Sequence, residues 1–174
     1  LDDAAVGREI AFEDGGRGFL LDRLGERLDD VLEVNLRTFD VLADGATGTN
    51  LFNMGLMSGD APELWNTDEP DKIKKLYRGA VEAGSDLFLT HSFGANASRL
   101  KLHGAEKRVH ELSRVSAEIA REVADTADHK VIVAGSVGPT GEIMEPVGTL
   151  SHAIAVEIFH ETADGLKTGG ADVG

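Results

Sequence analysis

Four short apolar runs, each leading into small or polar residues and separated by helical patterns, constrain this chain more than any other feature. Phe39-Asp40-Val41-Leu42-Ala43 leads into the Gly- and Thr-rich loop Asp44-Gly45-Ala46-Thr47-Gly48-Thr49. Ser85 to Thr90 leads into His91-Ser92-Phe93-Gly94-Ala95-Asn96, and Lys130 to Ala134 into Gly135-Ser136-Val137-Gly138-Pro139-Thr140-Gly141. Ala171-Asp172-Val173 begins a fourth run. Continuous apolar runs of this length are the mark of strands buried on both faces. Between them, Pro70 opens a helix carrying Ile73, Leu76, Tyr77, Ala80 and Val81, and Gly84 stands where a helix stops. A short helix is expected over 97–102. A long one follows from Ala105 to Ala127, with Val109, Leu112, Val115, Ile119 and Val123 inward, and another runs from Leu150 to Lys167 until Gly169-Gly170 ends it.

Strands alternating with helices at this spacing predict βαβ units and a parallel sheet. Two closed forms compete, a doubly wound open sheet and a (β/α)8 barrel. A dinucleotide fold needs G-x-G-x-x-G tight after its first strand, and Asp44-Gly45-Ala46-Thr47-Gly48-Thr49 does not have that spacing. A small-residue polar loop at the end of each strand is instead how a barrel builds its active face. The units present are the first three and the start of strand four, less than half of a barrel that takes ~250 residues.

Composition narrows the partners. The chain has 174 residues and a formal net charge of −14, which repels phosphate backbones and anionic lipid, so neither nucleic acid nor membrane is expected. It has no Cys, which excludes a disulfide scaffold and any thiolate ligand from these residues. No apolar run reaches the ~20 residues of a membrane span, and no basic segment precedes an apolar one at the start, so a cytoplasmic protein is expected. The opening Leu1 and the strand just begun at Gly174 read as cuts at both ends. Residues 1–38 read as an acidic lead with one amphipathic helix, its stripe formed by Phe19, Leu20, Leu21, Leu24, Leu28, Val31 and Leu32; residues 39–174 read as the barrel part.

Asp44 directly follows a strand, so its carboxylate is placed over the strand ends, where it would accept hydrogen bonds from a substrate ammonium or hydroxyl. An Asx turn capping its own loop is the alternative use of the same residue. Thr90, Ser92 and Asn96 offer hydroxyls and an amide that would orient a carboxylate, or else satisfy their own loop. The glycines of Gly135-Ser136-Val137-Gly138-Pro139 would allow an anion-binding nest or a packed tight turn, although no Lys or Arg lies in the loop. His103 with His110, and His152 with His160, fall about two helical turns apart, too far for one metal without further ligands. His91, alone in a strand-end loop, would be a substrate contact or a titrating group. G-x-S-x-G is absent.

These motifs together resemble the zinc-dependent homocysteine S-methyltransferases, in particular betaine–homocysteine methyltransferase-like proteins and the homocysteine module of cobalamin-dependent methionine synthase. The resemblance runs from Val41 to Val173 and rests on four pieces in order: Leu42 to Thr49; Ala83-Gly84-Ser85-Asp86 with Thr90-His91-Ser92-Phe93; Gly135 to Pro139; and Gly169-Gly170-Ala171-Asp172. It implies a (β/α)8 barrel in which zinc holds homocysteine as its thiolate and that sulfur attacks an activated methyl group, giving methionine. Zinc lowers a thiol's pKa and so makes the nucleophile available near neutral pH. By the same resemblance, Asp44 and Gly45 contact the amino-acid portion of homocysteine, with Thr90 and Ser92 beside them. At the position of His91 the family more often has Asn. The family's zinc ligands are cysteines that would lie beyond Gly174, as would a strand-four Glu, so a fragment without its metal site is expected to be inactive alone. A small methyl donor and a homo-oligomer are compatible with this reading. Two others stay open: a non-catalytic half-barrel acting through association with another chain, and a different barrel enzyme with a non-metal site.

Overall fold

The computed structural model describes residues 41–173. The acidic lead and its expected helix, with Phe39 and Asp40 of the first strand, lie outside the described residues. Along the rest, helices α1 (Thr47–Asn53), α2 (Trp65–Asp68) and α3 (Pro70–Glu82) precede strand β1 (Leu87–Leu89). Helices α4 (Ala97–Leu100) and α5 (Val109–Ala124) precede strand β2 (Ile132–Ala134), and α6 (His152–Thr168) follows it.

Glycine sets where the sheet begins. At the end of α3, Gly84 takes φ 83°, its N–H donates to Val81 O, and the Ser85 N–H donates to Ala80 O at 3.1 Å. At the end of α6, Gly170 takes φ 91° and the Ala171 N–H donates to Leu166 O at 3.1 Å. Both are the double-bonded left-handed stop that glycine adopts without a Cβ penalty. Each releases the chain straight into the sheet.

β1 and β2 pair in parallel, with Leu87 opposite Ile132 and Leu89 opposite Ala134. Ala43 bridges Leu87 on one side and Ala134 bridges Val173 on the other, both parallel. The strand positions therefore lie side by side in chain order, without the reversal that defines a doubly wound sheet. The fold is mixed α/β with each unit beside the one before it.

Several elements differ from the sequence expectation. Thr47 to Thr49, expected in a loop, already belong to α1, because the left-handed Ala46 (φ 58°) turns the chain directly into a helix. The strands are shorter than the apolar runs: Leu87–Leu89 within 85–90 and Ile132–Ala134 within 130–134. Single backbone bonds such as Asp86 N–H to Leu42 O (2.7 Å) and Ile132 N–H to Asp86 O (2.9 Å) continue the pairing past the regular strands. The helix expected from Ala105 starts with a 3₁₀ turn, Glu106–Arg108, before α5, and that expected over 97–102 ends in the 3₁₀ turn Lys101–His103. α6 begins at His152, where the Ser151 hydroxyl accepts the Ile154 N–H.

The core lies between the sheet and the helices. Phe88 stacks on Tyr77 of α3 with ring centroids 4.8 Å apart, and Ile73, Ala117, Ala120, Val123, Val133 and Leu166 close around them. α5 and α6 touch through small residues: a Cβ on Gly165 would lie 2.7 Å from His110 O, and one on Gly169 would lie 2.3 Å from Arg114 O. No helix among the described residues is long and apolar enough to cross a membrane.

Candidate functional site

Parallel strands in one layer bring their C-terminal ends to one edge, and there the loop residues meet. Asp44 donates its N–H to Leu87 O at 3.0 Å, and its Oδ1 accepts the Leu89 N–H at 3.0 Å. The carboxylate therefore caps the neighbouring strand. Burial pushes its pKa above the ordinary aspartate value, partly offset by the Leu89 bond. Gly45 beside it is exposed, and a Cβ there would meet nothing within 4 Å, so the backbone next to Asp44 is open to an incoming molecule. Ala46 then holds its positive φ at a cost of about 1 kcal/mol.

Thr90 and Ser92 come together. Their hydroxyls lie 2.7 Å apart, Ser92 Oγ donates to Ser136 O at 2.7 Å, and Thr90 Oγ1 accepts the Ser136 N–H at 2.8 Å. Because the Ser92 proton goes to a carbonyl, the Thr90 proton points to Ser92, and the three residues close a ring that ties the loop after β1 to the loop after β2. Ser136 was not singled out in the sequence, where only the glycines around it drew notice. Of the two uses open to this loop, packing takes up its first two N–H groups: Gly135 N–H donates to Val173 O and Ser136 N–H to Thr90. Gly138 instead gives Phe93 room, since a Cβ there would lie 2.2 Å from Phe93 O.

His91 is buried and faces the helical layer. Its ring Nε2 lies 2.8 Å from Pro62 O, its N–H donates to the Tyr77 hydroxyl at 2.6 Å, and its carbonyl accepts from Asn66 Nδ2 at 2.8 Å. Burial depresses its pKa, which favours the neutral ring. It is thus a fastener of the loop and not an open substrate contact. Asn96 caps α4 by accepting the Arg99 N–H and reaches Pro139 O at 3.3 Å. Glu63, another residue the sequence did not flag, is buried and accepts the Gly94 N–H at 2.7 Å. Its only signal was a charged residue in the polar stretch around Trp65-Asn66.

A cavity of about 540 Å³ borders Asp44 and Gly45 and is lined further by Leu42, Met54, Leu76 and Ala80. Neither Thr90 nor Ser92 borders it. His110 lies 3.2 Å from Asp164, while His103, His152 and His160 are exposed. Among the described residues no group of three or more His, Cys, Asp or Glu is placed to hold a metal ion, and the chain has no Cys. The residues present do not fit the zinc site that the resemblance implies.

The profile of one family, homocysteine S-methyltransferase, matches residues 41–174. The chain belongs to the homocysteine S-methyltransferase family. Among its relatives, the methionine synthase of Mycobacterium leprae is 36% identical over 141 residues, covering 76% of this chain, and that of Mycobacterium tuberculosis is 35% identical over 152 residues, covering 82%. This methyltransferase-family chain spans only 12% and 13% of the lengths of those two relatives. The homocysteine methyltransferase MmuM from Escherichia coli superposes in its oxidised form with a TM-score of 0.65 at 26% identity, over 82% of this chain and 55% of MmuM. Its metallated form gives 0.66 at 25% identity over the same shares.

Proposed function

We propose that this chain is the homocysteine-holding part of a homocysteine S-methyltransferase, and that its described residues are the first three βα units and the start of strand four of a (β/α)8 barrel. The observation that carries the proposal is the placing of Asp44 and the Thr90–Ser92 pair at the ends of adjacent parallel strands, inside a segment whose whole described length matches the family. In this reading Asp44 accepts from the ammonium of homocysteine and the open backbone at Gly45 lets it approach. Thr90 and Ser92, their hydroxyl protons held within the ring with Ser136, shape the side of the site toward the carboxylate through their loop. The reaction forms a bond between the homocysteine sulfur and a methyl carbon while the bond from that carbon to its donor breaks. The donor is small, and the setting cytoplasmic. Zinc, implied by the family, finds no ligand set in these residues, so the chain alone holds substrate without turning it over.

Nuclear magnetic resonance titration of the 174-residue chain with L-homocysteine tests this. Shifts are expected to centre on Asp44, Gly45, Thr90 and Ser92. Saturable shifts centred elsewhere, or none at millimolar ligand, would refute the assignment. The half-exposed Leu42 and Leu89 support a second reading, association with another chain, which sedimentation would reveal as a defined oligomer.

A further inference from the structure

We infer that His91 is a positioning residue for the homocysteine end of the site: its neutral imidazole, donating Nε2–H to Pro62, gives the loop of Thr90 and Ser92 its shape and releases that loop when it takes up a second proton. The inference rests on the substrate reading above and adds the group that holds the substrate loop in place.

The geometry begins with alternation. Thr90 and Ser92 turn their hydroxyls to Ser136, while His91 between them turns into the helical layer. A carbonyl has no proton to give, so the ring nitrogen facing Pro62 O carries one, which fixes the Nε2–H tautomer. The His91 backbone is held at the same time, its N–H by Tyr77 of α3 and its carbonyl by Asn66 of α2. Three residues on, the Gly94 N–H is held by Glu63, and a Cβ on Gly94 would lie 2.6 Å from the Glu63 carboxylate. The segment 62–66 and α3 thus grip one edge of the loop at four points, while the Ser136 ring closes the other edge. If the ring bond is lost, the grip on residues 91–94 rests on the Tyr77, Asn66 and Glu63 side chains, which hold only the loop's backbone.

A second proton goes to Nδ1 and leaves the Nε2–H bond to Pro62 O in place, so what it adds is the cost of a charge held in the closed loop. The titratable groups that face the ring from the elements packed on it are Glu63 of a further 3₁₀ turn, Pro62–Leu64, and Tyr77 of α3, among the described residues; Asn66 of α2 is neutral. Tyr77 is fully buried and its hydroxyl is held protonated by that burial. Only Glu63 offers charge to offset an imidazolium, and one of its oxygens already serves Gly94. Burial outweighs the help from Glu63 and Pro62 in setting the direction of the His91 pKa, so a second proton is better held with the loop open to water than closed.

Amide hydrogen exchange on the 174-residue chain reads this directly at Ser136, whose N–H Thr90 accepts, and at Gly94. In the wild-type chain both amides are expected to be protected at neutral pH and to lose about tenfold in protection as pH falls below about 6.5. His91→Gln keeps a donor for Pro62 and does not titrate, so it is expected to retain protection and to lack the acid step. His91→Phe fills the volume without a donor and is expected to lose about tenfold at every pH. Wild-type protection that is flat between pH 5 and 7.5, or a Phe variant as protected as wild type, would overturn the inference, and the first of these needs no variant to fold. The affinity for L-homocysteine is measured on the same three proteins and is expected to follow Ser136 protection. A wild-type chain that shows the acid step but binds no homocysteine would refute the substrate reading and leave the loop role standing.

Discussion

Asp172 accepts the backbone N–H of Val133 at 2.9 Å and returns its own N–H to the Val133 carbonyl at 2.8 Å. Asp86 makes the same reciprocal pair with Leu42 one strand earlier, at 2.9 and 2.7 Å. Each aspartate stands two residues after the glycine that stops a helix, so the stop, the release and the clip to the previous strand form one repeated device. The two differ in surroundings: Asp172 is buried and is also reached by Arg121 at 2.5 Å, whereas Asp86 is half-buried.

That difference sets the first expectation. Asp172→Ala leaves the Val133 N–H and a mostly buried Arg121 without this carboxylate, and is expected to cost about 3 kcal/mol. Asp86→Ala, nearer to water, is expected to cost about 1 kcal/mol. Urea unfolding of both variants gives the order, and a larger loss for Asp86 would contradict the burial argument.

At the contact of α5 and α6, Gly169→Ala is expected to destabilise by about 2 kcal/mol through overpacking. The backbone at Gly169, with φ −76°, suits alanine, so the cost comes from the clash with Arg114 O and the Ala117 side chain. Gly45→Ala, in open space, serves as the control and should change thermal stability little. Equal effects from the two substitutions would remove the packing explanation.

Asp44 carries a raised pKa, so the folded state binds its proton more readily than the unfolded chain. The sign follows: ionised Asp44 lowers stability at neutral pH, and this loss is relieved as pH falls through the raised folded value toward the ordinary value of 3.8. Asp44→Asn, which can still accept the Leu89 N–H, is expected to melt no lower than wild type at pH 7 and to show a weaker gain on acidification. Homocysteine binding is expected to fall at least tenfold with the loss of its charge. A variant that melts lower yet binds normally would place Asp44 in the frame of the fold and not in the site.

Methionine formation offers a fourth check. Incubated with zinc, homocysteine and either a betaine or a sulfonium donor, the 174-residue chain is expected to make no methionine above the uncatalysed rate, because no thiolate ligand exists in it. Zinc-dependent turnover that disappears with a chelator would show that His and carboxylates alone suffice.

The sheet was legible because Val131-Ile132-Val133-Ala134 and Leu87-Phe88-Leu89 are apolar without interruption, and because Gly84 and Gly170 mark where helices must stop. Asp44, Thr90 and Ser92 were legible by place, as polar residues following strands. Their partners were not. Ser136 joins the ring through its N–H and carbonyl, which every residue but proline has, so no side-chain signal could announce it. Glu63 and Tyr77 meet the strand loop from a turn and a helix 14 or more positions away, a distance that local periodicity does not measure. His91, read as a substrate contact or a titrating group, turns away from Thr90 and Ser92 because alternation along the chain, and not residue type, decides which way a ring turns.

The chain-order sheet also bears on how the protein comes into being. Each clip closes over a modest separation, 44 positions for Asp86 to Leu42 and 39 for Asp172 to Val133. None of these pairings waits for a distant terminus. On a ribosome delivering about 5–20 residues per second, every unit emerges seconds after the one it must dock on, and the growing edge is always the newest strand. Assembly can then proceed in the order of translation, each finished unit serving as the template for the next.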